Sequence, residues 1–278
     1  MNKNDLPIGV FDSGVGGLTV TKEILKTLPN EKIIYFGDTA RVPYGGKSQE
    51  TIIRYSKQIA DFLMSQNVKA IVIACNTASA LAMDALCECS DIPILGVVEP
   101  GARAAVKATK NGRIGVIGTL GTVGSKLYDK YIKAADSKIT VFSKACPLFV
   151  PLVEEGIIDD PVTEEMIRRY LNKMVNEDDI DTLILGCTHY PLIENVIAKE
   201  IKKMQGDAPK HEITLVNPAH ETAKSLEILL KENGLARTTS AKPEDHKFYA
   251  SDDINNFVKF ARDVPNINVV NAELKSLS

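Results

Sequence analysis

Two cysteines stand in matched surroundings. Cys75 ends the apolar run Ala70-Ile-Val-Ile-Ala and is followed by Asn76-Thr77-Ala78-Ser79; Cys187 ends Leu183-Ile-Leu-Gly and is followed by Thr188-His189-Tyr190-Pro191. A free thiol ionises at about pH 8.5, so only a few per cent is thiolate at neutral pH, and a neighbour must share its proton. His189, two residues from Cys187, is such a neighbour, and Asp12, at the end of the first apolar run, is placed to serve Cys75. As a disulfide the pair would suit a secreted chain, which this one does not resemble. Zinc ligation lacks company, since no Cys-x-x-Cys flanks either thiol and the short pair Cys87-Glu88-Cys89 falls on a helix. Acid–base chemistry fits better. It suits a reaction that takes a proton from one face of a carbon and returns one to the other, with one residue entering as thiolate and the other as thiol. Cys87, Cys89 and Cys146 are read as packing residues.

The surrounding residues suit a small polar acid. Asp12-Ser13 and the glycines from Gly14 to Gly17 place backbone amides at a helix start, which favours an anion. Asn76, Thr77 and Thr188 add neutral donors at the two strand ends, able to hold a carboxylate and to share charge that develops when its α-carbon loses a proton. The spacing Gly14-Val15-Gly16-Gly17 is not G-x-G-x-x-G and no Walker lysine follows, so a nucleotide is not expected. Tyr44 and Gly45 lie in a long, turn-rich loop, where Asp38 and Arg41 read as an ion pair without a role. Pro147 to Gly156 is apolar and proline-punctuated and reads as a shaped loop, with its Glu154 solvated unless it faces the site.

These residues need a frame that brings strand ends together, and the chain alternates strands with helices throughout, which implies parallel βαβ units. Ligands in such sheets sit beyond the carboxyl ends of the strands. The order recurs: Ile8-Gly9-Val10 matches Ile114-Gly115-Val116 (114 − 8 = 106), Lys32-Ile33 matches Lys138-Ile139 (138 − 32 = 106), and Cys75 matches Cys187 (187 − 75 = 112). The expected fold is α/β, with two pseudo-symmetric domains, each a mostly parallel sheet flanked by helices. The active site is expected in the cleft between them, with Cys75 and Cys187 on opposite walls.

The whole-chain numbers agree with a soluble enzyme of this kind. The 278 residues are 44% hydrophobic and 25% charged, with a net charge of −3, so no basic nucleic-acid footprint is present. No apolar run approaches the roughly 20 residues that cross a bilayer. The opening residues run into a strand without a signal-peptide core, and five cysteines, an odd number, argue for free thiols in a reducing compartment. A cytoplasmic protein that binds neither nucleic acid nor membrane is expected, with no metal and no cofactor.

At four segments the chain resembles the glutamate racemases of the aspartate/glutamate racemase superfamily. They are Pro7-Ile-Gly-Val-Phe-Asp-Ser-Gly-Val-Gly-Gly-Leu18, Tyr35-Phe-Gly-Asp-Thr-Ala-Arg-Val-Pro-Tyr-Gly45, Ile73-Ala-Cys-Asn-Thr-Ala-Ser79 and Gly186-Cys-Thr-His-Tyr-Pro-Leu192. The resemblance implies a pyridoxal-phosphate-independent isomerase that interconverts L- and D-glutamate and supplies D-glutamate for peptidoglycan and cell shape. It implies catalytic roles for Cys75 on the D face and Cys187 on the L face, assisted by Asp12 and His189. It implies substrate contacts from Asp12, Ser13, Tyr44, Gly45, Asn76, Thr77, Thr188 and His189, with Thr122 and Glu154 nearer the cleft. It also implies a discontinuous first domain, residues 1–98 plus 209–278, around a second, 99–208. A homodimer is the expected assembly, and the short start suggests the type not regulated by a peptidoglycan precursor. The loop Gly45-Gly46-Lys47-Ser48 and the segment Leu215-Val216-Asn217-Pro218 depart from the family pattern. An aspartate or other amino-acid racemase, and a dithiol redox or sensor protein, are the alternative readings; a small-acid binding protein is a third.

Overall fold

The computed structural model describes residues 2–264, 267, 269 and 272–277. Its strands are β1 (Ile8–Asp12), β2 (Ile33–Gly37), β3 (Ala70–Ile73), β4 (Ile94–Gly96) and β5 (Arg113–Gly118). They continue as β6 (Thr140–Ala145), β7 (Thr182–Gly186), β8 (Thr214–Val216), β9 (Lys247–Ala250) and β10 (Ala272–Leu274). The chain divides into two compact units, Met1–Val97 with Ala219–Ser278, and Val98–Pro218.

In the first unit the sheet order is β10-β9-β2-β1-β3-β4, and every pair is parallel. All residues of β1, β2 and β3 are buried, because helices cover both faces of a parallel sheet and the strands therefore read as unbroken Ile, Val and Phe runs. One covering helix, Gln49–Ser65, starts where the Ser48 hydroxyl accepts the Thr51 amide at 3.3 Å. It buries Ile52, Ile59 and Leu63 at helical spacing against Phe36, Ile71 and Ile73. Phe62, on the same helix, packs edge-on to Tyr249 of β9 at 5.1 Å, so the C-terminal segment shares this core.

In the second unit the order is β6-β5-β7-β8, again parallel. The two sheets share one plan, with β2-β1-β3-β4 repeated as β6-β5-β7-β8. Phe11 pairs with Ile73 and Gly118 with Gly186, so Asp12 stands level with Ala74 as Gly118 stands level with Gly186. Cys75 and Cys187 each follow that residue, at the same place beyond the third strand of their own sheet. The repeat slips at one strand. Ile8 pairs with Ile33, but Ile114 pairs with Val141, two residues beyond the constant offset. β6 is an edge strand, half-exposed along its length, and is not held to register by burial on both faces as β2 is.

One element differs from the sequence reading. The stretch read as a shaped loop holds a helix, Phe149–Glu154, because Pro151 occupies its third position, where the missing N–H had no helical partner to lose. The same tolerance lets Pro100 sit in the first turn of the helix Val98–Ala108, which directly follows the short strand Ile94–Gly96. The helical segment after Cys75 is split at Ala82 (φ −120°), and the one after Thr119 is split at Lys126, which has φ 55°. Among the described residues, no helix is long and apolar enough to cross a membrane.

Gly186 shows how tightly the strand end is built. A Cβ there would lie 2.5 Å from the Ile117 carbonyl oxygen, a backbone atom that cannot swing aside. Gly186→Ala is therefore expected to cost about 1–3 kcal/mol of stability, read from the urea midpoint of the purified protein. An unchanged midpoint would show that β5 and β7 can part without cost.

Candidate active site

In the first unit, β1 delivers Asp12, whose buried carboxylate accepts the Gly14 amide at 3.0 Å and bends the chain into the glycine-rich turn. A Cβ on Gly17 would sit 2.4 Å from that of Asp12, so only glycine lets the helix Leu18–Thr27 start so close. The hydroxyl of Tyr35 donates to the Gly14 carbonyl at 2.8 Å and pins the turn from β2. Burial, then the negative charges of Asp12 and Cys75, hold this phenol well above its ordinary range, so it stays a neutral donor. Cys75 caps the helix Asn76–Leu81. Its sulfur accepts the Ala78 amide at 3.4 Å and donates to the Ser13 hydroxyl at 3.5 Å. A backbone donor aimed at sulfur favours the thiolate, and Ser13 is placed to take a hydrogen bond in one state and give one in the other. Asn76 and Thr77, in the first turn of the same helix, are buried. Ser79 locks that helix to the sheet by donating to the Ile73 carbonyl at 2.9 Å and accepting the Val97 amide at 3.2 Å. Tyr44 is buried, and its hydroxyl donates to Asp38. Gly45 is half-buried.

In the second unit, Cys187 lies one residue past β7, with Thr188 and His189 buried behind it. His189 reaches both ways: Nδ1 lies 3.9 Å from the Cys187 sulfur, and Nε2 lies 3.0 Å from Oε1 of Glu154. The order is thiol, imidazole, carboxylate. Burial alone would pull the histidine down, but hydrogen bonds to Cys187 and Glu154, together with their negative charges, outweigh it and push the pKa up to about 10. At neutral pH the ring is therefore imidazolium, with a proton on the nitrogen that faces the Cys187 sulfur.

Glu154 comes to the ring through packing elsewhere. It is the last residue of the helix Phe149–Glu154, and Phe149 packs edge-on to Tyr190, the residue after His189, at 5.2 Å. The Tyr190 hydroxyl donates to the Cys146 carbonyl at 2.9 Å and completes the tie. Thr122 is buried, with its hydroxyl 3.1 Å from that of Thr119 and its amide donating to the same oxygen at 3.2 Å. Cys146 is buried, and burial first, then the charge of Cys187, drives its thiol far up, as fits a packing role.

Within the first unit, then, the structure brings together Asp12, Ser13 and Cys75, and it fastens Tyr44 to Asp38. Within the second it joins Cys187, His189 and Glu154. Three groups were not anticipated. Tyr35 lies beside the glycine-rich turn, and Tyr128 packs against Gly186, its phenol raised by burial and then by the charge of Cys187. Asp38, read as half of a loop ion pair with Arg41, keeps that pair at 2.7 Å but is wholly buried and also receives Tyr44 and Ser251. Buried phenols in a strand and a helix were open to suspicion from sequence, whereas a serine 213 positions from its partner gave no signal.

The chain is similar to known proteins over most of its length. A glutamate racemase of Geobacter metallireducens is 50% identical over 252 residues, spanning 91% of this chain and 90% of that protein. The crystal structure of a glutamate racemase isoform from Bacillus anthracis superposes with a TM-score of 0.91 at 40% identity, covering 99% of this chain and 98% of that one. That of the Francisella tularensis glutamate racemase in complex with D-glutamate gives 0.89 at 39% identity, covering 99% of each chain. The sequence model of the Asp/Glu/Hydantoin racemase family matches residues 8–226, and the chain belongs to that family.

Proposed function

We propose that the chain is a glutamate racemase that inverts Cα with two cysteines and no cofactor. The observation that carries this reading is the pair of buried thiols at equivalent strand ends, each in contact with a group able to share its proton. From L-glutamate, the Cys187 thiolate takes the Cα proton and becomes a thiol. The electron pair of the broken C–H bond passes into the α-carboxylate. The Cys75 thiol then gives its proton to the opposite face and becomes the thiolate, ready for the reverse reaction from D-glutamate. Each step is general acid–base catalysis by a positioned thiol or thiolate. The scheme requires both strand ends to address one substrate from opposite sides.

His189, held between Cys187 and Glu154, is assigned to donate to the Cys187 sulfur; Ser13 and the Ala78 amide serve Cys75, with Asp12 setting the turn that carries Ser13. Asn76, Thr77, Thr122 and Thr188, with the main chain at Tyr44 and Gly45, are assigned to the substrate's carboxylates and amine. Relatives named for glutamate, one holding D-glutamate, support the substrate. The product would serve peptidoglycan synthesis in the cytoplasm, made by a homodimer.

The test is proton NMR in deuterium oxide with L- and D-glutamate supplied separately. Each enantiomer is expected to lose its Cα proton signal and to yield the other. Labelled aspartate with unlabelled glutamate would keep the chemistry and change the substrate. No exchange with either would overturn the reading and leave the dithiol redox alternative.

A further inference from the structure

Tyr44 and Gly45 lie in the loop that follows β2, and that loop is fastened at one point. The Asp38 carboxylate is fully buried and receives three side chains: Nε of Arg41 at 2.7 Å, the Tyr44 hydroxyl, and the Ser251 hydroxyl at 2.9 Å. Its own amide donates to the Asp12 carbonyl at 3.1 Å, so the anchor is set directly against the strand that ends in Asp12. Ser251 does more than reach Asp38, since its oxygen also accepts the Ala40 amide at 2.9 Å and its own amide donates to the Gly37 carbonyl at 3.0 Å. Next to it, the Asp252 amide donates to the Thr39 hydroxyl at 2.8 Å, and that hydroxyl donates back to the Asp252 carbonyl. The start of the loop is thus stitched to the end of β9 by a ladder of local hydrogen bonds. Arg41 is stacked over Tyr55 at 4.1 Å and donates to Gln58, which fixes the other flank to the helix Gln49–Ser65.

Two consequences follow. The Tyr44 hydroxyl is committed to Asp38, so any contact that Tyr44 and Gly45 make with a substrate falls to their main chain. A main-chain contact is only as good as the placement of the loop, and a displacement of about 1 Å costs on the order of a hundredfold. The family's sequence model ends at residue 226, yet Ser251 lies beyond it. We infer that Asp38, gripped by Ser251 of the C-terminal segment, is the positioning residue that holds Tyr44 and Gly45 for substrate binding. The inference rests on the racemase reading above.

The test uses Asp38→Asn, Tyr44→Phe, Ser251→Ala and the double variant Asp38→Asn/Tyr44→Phe in the full chain. Three readouts are taken: KM and kcat for each enantiomer, the fold by circular dichroism, and amide hydrogen exchange over residues 39–47. Asp38→Asn is expected to raise KM for both enantiomers about tenfold while kcat changes less than about threefold, because neither thiol is touched. Ser251→Ala should do the same to a smaller degree. The double variant should be no worse than Asp38→Asn, as expected of two partners in one bond. Exchange over 39–47 should quicken in each single variant without any substrate present. In an active enzyme, an unchanged KM, a fall in kcat alone or additive losses would overturn the inference. A wild type inert toward glutamate would overturn the racemase reading and the affinity claim together, and the exchange data would still confirm or refute the clamp itself.

Discussion

Cys187→Ser and Cys75→Ser are each expected to reduce racemisation of glutamate by at least about a thousandfold, roughly 4 kcal/mol of barrier, from loss of one general acid–base partner. Serine preserves the shape of the side chain and its hydrogen-bonding capacity, so the loss would report the proton affinity of sulfur and not packing. A thiol sits within reach of ionisation at neutral pH, and an alcohol does not. The more telling expectation is asymmetry. With Cys75 replaced, the remaining Cys187 should still exchange the Cα proton of L-glutamate with deuterium and leave D-glutamate unlabelled; with Cys187 replaced, the enantiomers should trade places. Both thiols are nearly buried, at 5% and 6% exposure, so bulk solvent has little access to either sulfur. Labelling of both enantiomers by either single variant would mean that one base serves both faces, and the two-thiol scheme would fail.

The thiols were legible because their signal is local. An unbroken apolar run followed at once by cysteine and a small polar residue marks the carboxyl end of a buried parallel strand, and burial on both faces leaves little freedom over register. Ala70–Ile73 and Thr182–Gly186 accordingly lie where the sequence places them. What was not legible depends on contacts remote in sequence or on backbone tolerance. Glu154 meets His189 across 35 positions, on a helix that its own proline concealed. Asp38 meets Ser251 across 213, and neither residue type announces the bond. The slip of β6 by two residues belongs to the same class, since an edge strand exposed on one side follows its local pairing more than an inherited offset.

The internal repeat also shows where the two halves part. Asp12 ends β1, and the residue at that level in the second sheet is Gly118; His189 follows Cys187 by two, and Thr77 follows Cys75 by two. Each half thus carries a charged residue at a position that the other leaves neutral. The first half has an anion on the first strand and an amide aimed at sulfur. The second half has a cation after the third strand, backed by a carboxylate. A scheme in which one sulfur must be thiolate while the other is thiol gains from such inequality, because identical surroundings would favour the same protonation state in both.

That difference sets the second large expectation. With its pKa pushed up to about 10, His189 stays protonated through the neutral range, and loss of the ring's proton should add a descending limb to activity as pH rises through about 10. His189→Asn removes the cation and should lower kcat by about a hundredfold to a thousandfold for proton transfer at Cys187. Glu154→Gln keeps the hydrogen bond and removes the charge. The descending limb should then move down by about one pH unit, a modest shift because the Glu154 side chain is 37% exposed and screened by water. Stability follows the same sign. The folded value lies above the ordinary 6.5, so the contribution is complete below about pH 6.5 and is lost as pH rises through about 10. The gap in denaturation midpoint between wild type and His189→Asn should therefore narrow from pH 6 to pH 10. A gap that widened, or a descending limb unmoved in Glu154→Gln, would mean that the ring is neutral at working pH and accepts the thiol's proton instead.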